Sequence, residues 1–426
     1  MKPIKNFKVV KISVLGICVH ILLLLAVFDI YFKSPLENGM TPVKSTDDPP
    51  SKRVILFVAD GLRAQAIFDK NENVTPFLSS IRKTRGAWGV SHARLPTESR
   101  TNHVSILGGI CEDPTAVFNK FREFPVDYDS VLNESKNAWI IGTRQVIKLF
   151  QLKDQIKHLK TTILPIGAHK NEDAWVFDEM TSLLNNSRHS RLFEDSGNIF
   201  SLHLSGIDKL AHSKKPYSKE FLEHIRNVDD NIRKMDILIK NTFSDNLTTF
   251  IFTADHGMND FGTHGSGSDY ETYTPFITWG AGIKANESRQ DIYQTDISPL
   301  ISSLIGINYP MNSLGKLPIQ YLNLSAENKL HLYLTNIQQL FRILEIKQKR
   351  IKDKSLFYKP YLTDQEFNRN ISRLFNSSEM EYEQLFKRCE KLADFILEGI
   401  NYFNCYYMFT LLLIHIVAIF HVLHLH

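Results

Sequence analysis

Short β-rich runs recur along the chain, and each ends in a polar residue or a glycine. They are "RVILFVADG" (53–61), "NAWIIG" (137–142), "NIFSLHLSGID" (198–208) and "LTTFIFTADHG" (247–257). A continuous apolar run of this length is typical of a strand that is buried on both faces. Helical patterns lie between the runs, as in "SKEFLEHIRNVDDNIRKMDILIKNTF" (218–243). This alternation predicts an α/β fold in which helices flank a mostly parallel central sheet.

The composition is that of a globular protein. Hydrophobic residues make up 43% of the 426 residues and charged residues 23%. The formal net charge is only +4, and no long basic run is interleaved with aromatic residues, so nucleic acid is not expected as a partner. The four cysteines form no CxxC metal pattern. Cys111 and Cys389 lie in the presumed soluble part, and the sequence leaves open whether they pair.

Both ends of the chain resemble membrane segments. Residues 12–32, "ISVLGICVHILLLLAVFDIYF", are long and apolar enough to cross a bilayer as a helix. Four lysines precede them, which places the N-terminus in the cytosol. The alternative is a cleaved signal peptide, but no clear small-x-small cleavage site follows, so an uncleaved anchor is favoured. A second span is predicted near the C-terminus, although His415, His421 and His424 weaken it.

The chain is therefore divided into a cytosolic tail and membrane anchor (1–32), a linker rich in Pro, Asp and Thr (33–52), a lumenal α/β domain (53–324), a helical extension (325–404) and a second membrane helix (405–426). Glycosylation sequons agree with a lumenal position, because eight is more than a cytosolic domain is expected to carry. The sequon asparagines are Asn73, Asn133, Asn185, Asn246, Asn286, Asn323, Asn370 and Asn376.

Acidic and histidine residues follow three of the predicted strands. In a parallel sheet the carboxyl ends of the strands meet at one edge, so these side chains are expected to converge there. Carboxylate and imidazole ligands suit zinc and also manganese, and six ligands are enough for two ions with open positions. Each motif alone is more simply a cap or a loop, and only their joint appearance favours a metal centre. The six residues are Asp60, Asp208, His212, Asp255, His256 and His264.

Hydroxyl groups follow the predicted strand "GAWGVSHAR" (86–94), in the run "LPTESRTNH" (95–103). A two-metal site suits phosphoryl transfer, because the ions stabilise both the attacking and the leaving oxygen. A hydroxyl on such an ion is activated without a Ser-His-Asp relay. Thr97 and Ser99 are the candidate nucleophiles, beside Arg100. Glu98, His103 and Asp260 rank lower, as supporting or capping residues.

At these residues the chain resembles the alkaline phosphatase superfamily. The shared pattern is Asp after the first strand, a Ser or Thr nucleophile, D-x3-H, D-H-G and a late His. Within the superfamily the chain is most similar to the glycosylphosphatidylinositol (GPI) ethanolamine phosphate transferase family, type 1, which modifies the first mannose. The resembling runs are "YFKSPLENGMTP" (31–42), "LFVADGLRA" (56–64), "RGAWGVSHARLPTESR" (85–100), "LHLSGID" (202–208), "VDDNI" (228–232), "FTADHGMNDFGTHG" (252–265) and "TPFITWGAGI" (274–283).

The resemblance implies an alkaline-phosphatase-like core and a reaction. Phosphoethanolamine would move from phosphatidylethanolamine to a mannose of a GPI lipid precursor in the lumen of the endoplasmic reticulum, and the catalytic domain would face that lumen. Ser99 would carry the covalent intermediate, with Thr97 as the open alternative, and Arg100 would steady phosphate charge unless it forms a surface salt bridge. Two ions, expected to be zinc, would be bound by two sets of three residues. These sets are Asp208, His212 and His264 for one ion, and Asp60, Asp255 and His256 for the other.

The chain departs from the family pattern in several places. Thr101 and Asn102 replace Pro-Gly, no glycine precedes His212, and Ser266 or Ser268 stands where a histidine is common. The family continues into a long array of membrane helices, and this chain ends at about the first, as a fragment or a short isoform would. Two rival functions are a lumenal phosphodiesterase that releases the group to water, and an inactive lumenal binding module. The complete set of six ligands argues against the second.

Overall fold

The computed structural model describes residues 3–31, 36–69, 74–112, 128–150, 159–163, 171–186, 194–354, 358, 360–375, 381–405 and 416. Within these residues, ten strands form two sheets. The strands are β1 (Val43–Lys44), β2 (Arg53–Ala59), β3 (Gly86–His92), β4 (Asn137–Gly142), β5 (Leu159–Ile163), β6 (Asn198–Leu204), β7 (Thr248–Thr253), β8 (Tyr273–Gly280), β9 (Ile292–Tyr293) and β10 (Asn308–Tyr309).

The larger sheet has eight strands in the order β5-β4-β6-β2-β7-β8-β3-β9. The four apolar runs predicted as strands form β2, β4, β6 and β7, which are adjacent and parallel. Strand β8 is antiparallel to both β7 and β3, so the sheet is mixed. The connection from β7 to β8 holds only the four-residue helix Asp269–Thr272, which is too short for the crossover that parallel pairing needs.

Helices cover both faces of this sheet. The helices of the described residues are α1 (Pro3–Tyr31), α2 (Gln65–Phe68), α3 (Pro76–Thr84), α4 (Ser99–Gly108), α5 (Val131–Glu134), α6 (Arg144–Phe150), α7 (Glu172–Asn185), α8 (Gly206–Lys214), α9 (Lys219–Phe243), α10 (Asp269–Thr272), α11 (Ile297–Ile305), α12 (Ala326–Lys354), α13 (Asp364–Phe375) and α14 (Tyr382–Asn404). Alternate residues of β2 point to opposite faces, and both sets are fully buried. Phe57 packs with α7 and α9 on one face, and Leu56 packs with α4 and α11 on the other.

The segment predicted as a linker packs against the domain. Strand β1 pairs with β10, and the nearby Glu37 is buried. The carboxylate of Glu37 accepts hydrogen bonds from Lys347 Nζ at 3.2 Å and from Arg350 Nη1 at 3.4 Å, both on α12. Helices α12 and α14 belong to the same apolar cluster as the strands of the sheet. The predicted helical extension is therefore packed onto the α/β domain.

The described residues near the two ends of the chain do not confirm the predicted membrane segments. Among the described residues, no helix combines the length and the apolar character that crossing a bilayer requires. The predicted C-terminal span lies outside the described residues, apart from Cys405 and Ile416. All four cysteines are free, so Cys111 and Cys389 form no disulfide.

Candidate metal centre

Three adjacent strands bring the acidic residues to one edge of the sheet. Asp60 directly follows β2, and Asp255 lies two residues after the end of β7. Asp208 does not end a strand as predicted; it lies in the first turn of α8, which begins two residues after β6. Because β6, β2 and β7 are neighbours in the sheet, the three carboxylates meet, as their positions at the strand ends predicted.

The first group consists of Asp60, Asp255 and His256, and all three are buried. Each offers one ligand atom, and these atoms lie within 4.8 Å of one another. His256 Nε2 is 3.4 Å from Asp60 Oδ1 and 3.9 Å from Asp255 Oδ2. The other oxygen of Asp255 accepts hydrogen bonds from the backbone N–H groups of Gly61 and His256. Backbone donors therefore fix the orientation of this carboxylate.

The second group consists of Asp208, His212 and His264, which also offer ligand atoms within 4.8 Å. Asp208 and His212 are four residues apart on α8 and therefore lie on one face of the helix. Asp208 Oδ1 is 3.4 Å from His212 Nε2 and 3.9 Å from His264 Nε2. The two groups are adjacent, because the rings of His256 and His264 stack with their centroids 4.0 Å apart.

Gly61 permits this close approach. Its φ of +71° is in the left-handed region, and a Cβ there would lie 2.8 Å from Asp208 Oδ1. Any side chain at this position would therefore displace α8 from the sheet edge. The "DG" after β2 thus supplies the carboxylate of Asp60 and leaves space for the carboxylate of Asp208.

The three histidines of the two groups share one hydrogen-bond pattern. In each, Nδ1–H donates to a backbone carbonyl, so Nε2 keeps its lone pair and faces the carboxylates. Such a bond fixes the tautomer and orientation of a metal-binding histidine. The pairs are His256 with Gly257 (3.0 Å), His264 with Thr97 (2.7 Å) and His212 with Gly262 (2.8 Å).

In each group, one carboxylate oxygen lacks a hydrogen-bond donor from the described part of the chain. Asp208 Oδ1 and Asp255 Oδ2 are buried and make no hydrogen bond among the described residues. Burial, together with repulsion from Asp255 and Asp208, raises the pKa of Asp60 well above its ordinary value. Crowded, buried carboxylates beside imidazole lone pairs fit divalent cations, which would satisfy the free oxygens and cancel the repulsion.

Ser99 is the hydroxyl that lies against the first group. It is the first residue of α4, and its Oγ is 3.4 Å from both carboxylate oxygens of Asp60. The same oxygen is 3.5 Å from His256 Nε2. A reacting phosphorus atom on Ser99 Oγ would therefore be next to the proposed ligands and to the N-terminal end of a ten-residue helix, which favours negative charge.

Thr97, the other candidate nucleophile, points elsewhere. Its side chain is fully buried, and its hydroxyl donates to the carbonyl of Ser266 and accepts from the N–H of Gly265. The hydroxyl also lies 3.3 Å from the carboxylate of Glu271, which accepts the N–H and Oγ–H of Ser266. Thr97 thus joins the loop of Ser99 to the loop of His264.

Glu271→Gln is expected to lower the free energy of unfolding by about 1–3 kcal/mol, because the new amide N–H₂ would face another donor at either position: the N–H₂ of Asn259 at Oε1 or the N–H of Ser266 at Oε2. Chemical denaturation of the metal-free chain measures this change. Glu287→Gln is the control, since Glu287 is exposed. Equal stability of the two variants would contradict a linking role for Glu271.

The remaining sequence candidates lie around the two groups. Arg100 forms a bidentate pair with Glu112 at 3.0 and 3.2 Å. Asp260 pairs with Arg63 at 2.6 Å. Glu98 lies at the edge of the second group, with its Oε2 3.9 Å from the Nδ1 of His264.

His103 and His203 form a buried layer beneath the first group. His103 Nδ1 donates to the carbonyl of Ser99 at 2.8 Å and is 3.3 Å from Asp255 Oδ2. His203, in β6, contacts Asp60 Oδ2 at 3.0 Å and has no counterpart among the sequence candidates. Burial lowers the pKa of His203 to about 3, so the ring is neutral at physiological pH. In the sequence it appears only as one histidine within the apolar run "NIFSLHL" (198–204), which gives no signal of a site.

Comparisons with known proteins agree with this geometry. A family model described as type I phosphodiesterase / nucleotide pyrophosphatase matches residues 154–294. GPI ethanolamine phosphate transferase 1 of Mus musculus is 37% identical over 433 residues, which cover 92% of this chain and 46% of that protein. The Homo sapiens protein of the same name is 36% identical over 437 residues, which cover 93% and 47%. The chain thus spans about half the length of these curated relatives.

Solved structures show the same fold. A crystal structure of a protein in the alkaline phosphatase superfamily from Vibrio parahaemolyticus aligns with a TM-score of 0.52 at 15% identity, covering 73% of this chain and 80% of that one. Wild-type alkaline phosphatase PafA aligns with a TM-score of 0.50 at 12% identity, covering 65% and 100%. The α/β core is therefore alkaline-phosphatase-like, as the resemblance in sequence implied.

Proposed function

Because the chain belongs to the GPI ethanolamine phosphate transferase 1 family, we propose that it is a metal-dependent transferase of GPI-anchor biosynthesis. The donor is phosphatidylethanolamine, and the acceptor is the first mannose of a GPI lipid precursor. The observation that carries this proposal is one hydroxyl, Ser99, against the first of two adjacent groups of three metal-competent side chains. That arrangement suits phosphoryl transfer.

Two divalent ions, zinc in our proposal, would be held by the two groups. Ions there supply positive charge to the phosphoryl oxygens and lower the pKa of the attacking hydroxyl. The chain's own contribution is orientation: Nδ1–H bonds aim the Nε2 atoms of His212, His256 and His264, and backbone N–H groups aim Asp255. The mixture of carboxylate and imidazole ligands also admits manganese.

The proposed reaction has two displacements at one phosphorus atom. Ser99 Oγ attacks the phosphorus of the donor, the bond to the diacylglycerol oxygen breaks, and diacylglycerol leaves with the proton of the serine. Phosphoethanolamine then remains as an ester on Ser99. A mannose hydroxyl attacks the same phosphorus, and Ser99 Oγ leaves and takes the proton of that hydroxyl.

A lumenal position in the endoplasmic reticulum, next to a membrane that carries both lipid substrates, follows from the same proposal. The sequons offer partial support, because the side chains of Asn185, Asn246 and Asn323 are exposed, as attachment of a glycan requires. Asn133, Asn286 and Asn370 are half-buried, and Asn73 and Asn376 lie outside the described residues.

The test is rescue of cells that lack the type 1 transferase. Expression of the chain is expected to restore surface GPI-anchored proteins, measured by flow cytometry. In parallel, the purified chain is incubated with labelled phosphatidylethanolamine, with and without the GPI acceptor. Label that passes to water irrespective of the acceptor would favour the rival phosphodiesterase. Metal-replete protein that neither transfers nor releases label would favour the inactive binding module.

A further inference from the structure

His203 is a buried histidine that contacts a proposed metal ligand without belonging to either proposed ligand group. It lies in β6, and 2% of its side chain is exposed. Its Nε2 is 3.0 Å from Asp60 Oδ2, and its Nδ1 is 3.1 Å from the hydroxyl of Thr143, which directly follows β4. The ring thus connects three adjacent strands, β4, β6 and β2, at the edge that carries the site.

The two contacts of His203 define where its proton lies. As a metal ligand Asp60 would be ionised, and an ionised carboxylate can only accept, so Nε2–H donates to Asp60 Oδ2. Nδ1 then has the lone pair, and the hydroxyl of Thr143 donates to it. This bond occupies one oxygen of Asp60 and leaves the other, Oδ1, at 3.4 Å from His256 Nε2.

We propose that His203 is a positioning residue that makes Asp60 a ligand through one oxygen only, with Thr143 fixing the required tautomer. This rests on the proposed metal centre. The hydrogen bond from a neutral imidazole holds Asp60 Oδ2 away from the ion and turns Oδ1 toward it. An outer partner of this kind typically changes metal affinity 10- to 100-fold.

Gly142 provides a second route to the same residue. A Cβ at position 142 would lie 2.6 Å from the Cβ of His203. The imidazole can therefore reach Asp60 only because position 142 has no side chain. Gly142→Ala would leave the chemistry of His203 unchanged, but it would displace the ring and strain the backbone, because the φ of Gly142 is +156°.

The experiment measures zinc affinity by chelator competition, and bound metal by elemental analysis, on the full chain. His203→Leu and Thr143→Val remove the two hydrogen bonds in turn, and His203→Gln can keep a side-chain N–H near the position of Nε2. We expect His203→Leu to weaken one of two zinc sites by about 10- to 100-fold. Thr143→Val and Gly142→Ala should weaken it less, and His203→Gln should restore most of the affinity.

The control is His92→Leu, which removes a histidine near Asp291, outside both metal groups. Circular dichroism of each metal-free variant separates loss of folding from loss of metal. Unchanged zinc affinity in folded His203→Leu would overturn the proposal. A content of three ions in the wild type and two in both His203 variants would also overturn the proposal. His203 would then be a metal ligand itself, because His103, His203 and Asp255 lie close enough to hold an ion. Neither result depends on transferase activity. The proposed function is tested separately, by the rescue of cells that lack the type 1 transferase.

Discussion

Ser99→Ala is expected to lower phosphoethanolamine transfer by about 10³-fold or more, because the variant has no oxygen with which to form the ester intermediate. Metal content is expected to stay at the wild-type level, since Ser99 belongs to neither group of three ligands. The measurements are the rate of transfer from labelled phosphatidylethanolamine and elemental analysis of the same preparation. Mass spectrometry of the peptide that contains residues 95–103 should detect phosphoethanolamine in the wild type and none in the variant.

Thr97→Ala is the matched comparison, because Thr97 is the other hydroxyl of the same loop. We expect a much smaller loss, about 10-fold or less, through the loosened contact with the carbonyl of Ser266 and the N–H of Gly265. Loss of transfer in Thr97→Ala with normal transfer in Ser99→Ala would move the nucleophile to Thr97. Full activity in both variants would remove the nucleophile from this loop altogether.

The sequence predicted that the side chains of the proposed ligands converge, because strand ends leave a strong local signal. Asp60 and Asp255 each follow an apolar run, and the rule that parallel strands end at one edge brings them together. Asp208 was predicted at a strand end and lies instead on α8. The i, i+4 spacing to His212 nevertheless keeps both on one face.

Long-range side-chain contacts could not be predicted in this way. Nothing near Thr97 in the sequence shows that its hydroxyl is bound by residues about 170 positions later, so only the resemblance ranked Ser99 ahead of Thr97. Arg100 next to the nucleophile suggested a phosphate ligand, whereas the fold places Glu112 against it. The role of His203 is visible only once β6 and β2 are paired, because Asp60, which it contacts, directly follows β2.

Asp60→Asn is expected to have opposite effects on metal binding and on the stability of the metal-free chain. Loss of a ligand oxygen with its charge should weaken zinc binding by more than the roughly 100-fold that an outer partner can cost. The metal-free protein should become more stable at neutral pH, with a melting temperature higher by roughly 2–4 °C. Calorimetry after chelation and chelator competition measure the two effects.

The sign of the stability effect follows from the crowding of the carboxylates. Burial and the charges of Asp255 and Asp208 raise the pKa of Asp60 in the folded chain above its ordinary value of 3.8. The folded state therefore holds this proton more tightly than the unfolded state, and the metal-free wild type loses stability as the pH rises above 3.8 toward the raised pKa. Asparagine removes that loss and keeps an oxygen that can accept from His203. Asp230→Asn is the control, because 44% of the Asp230 side chain is exposed and a hydrogen bond with Lys234 lowers its pKa, so the stability of this variant should change little. A less stable metal-free Asp60→Asn chain would mean that the carboxylates are already compensated without ions, and the proposed reason for binding two cations at this edge would be lost.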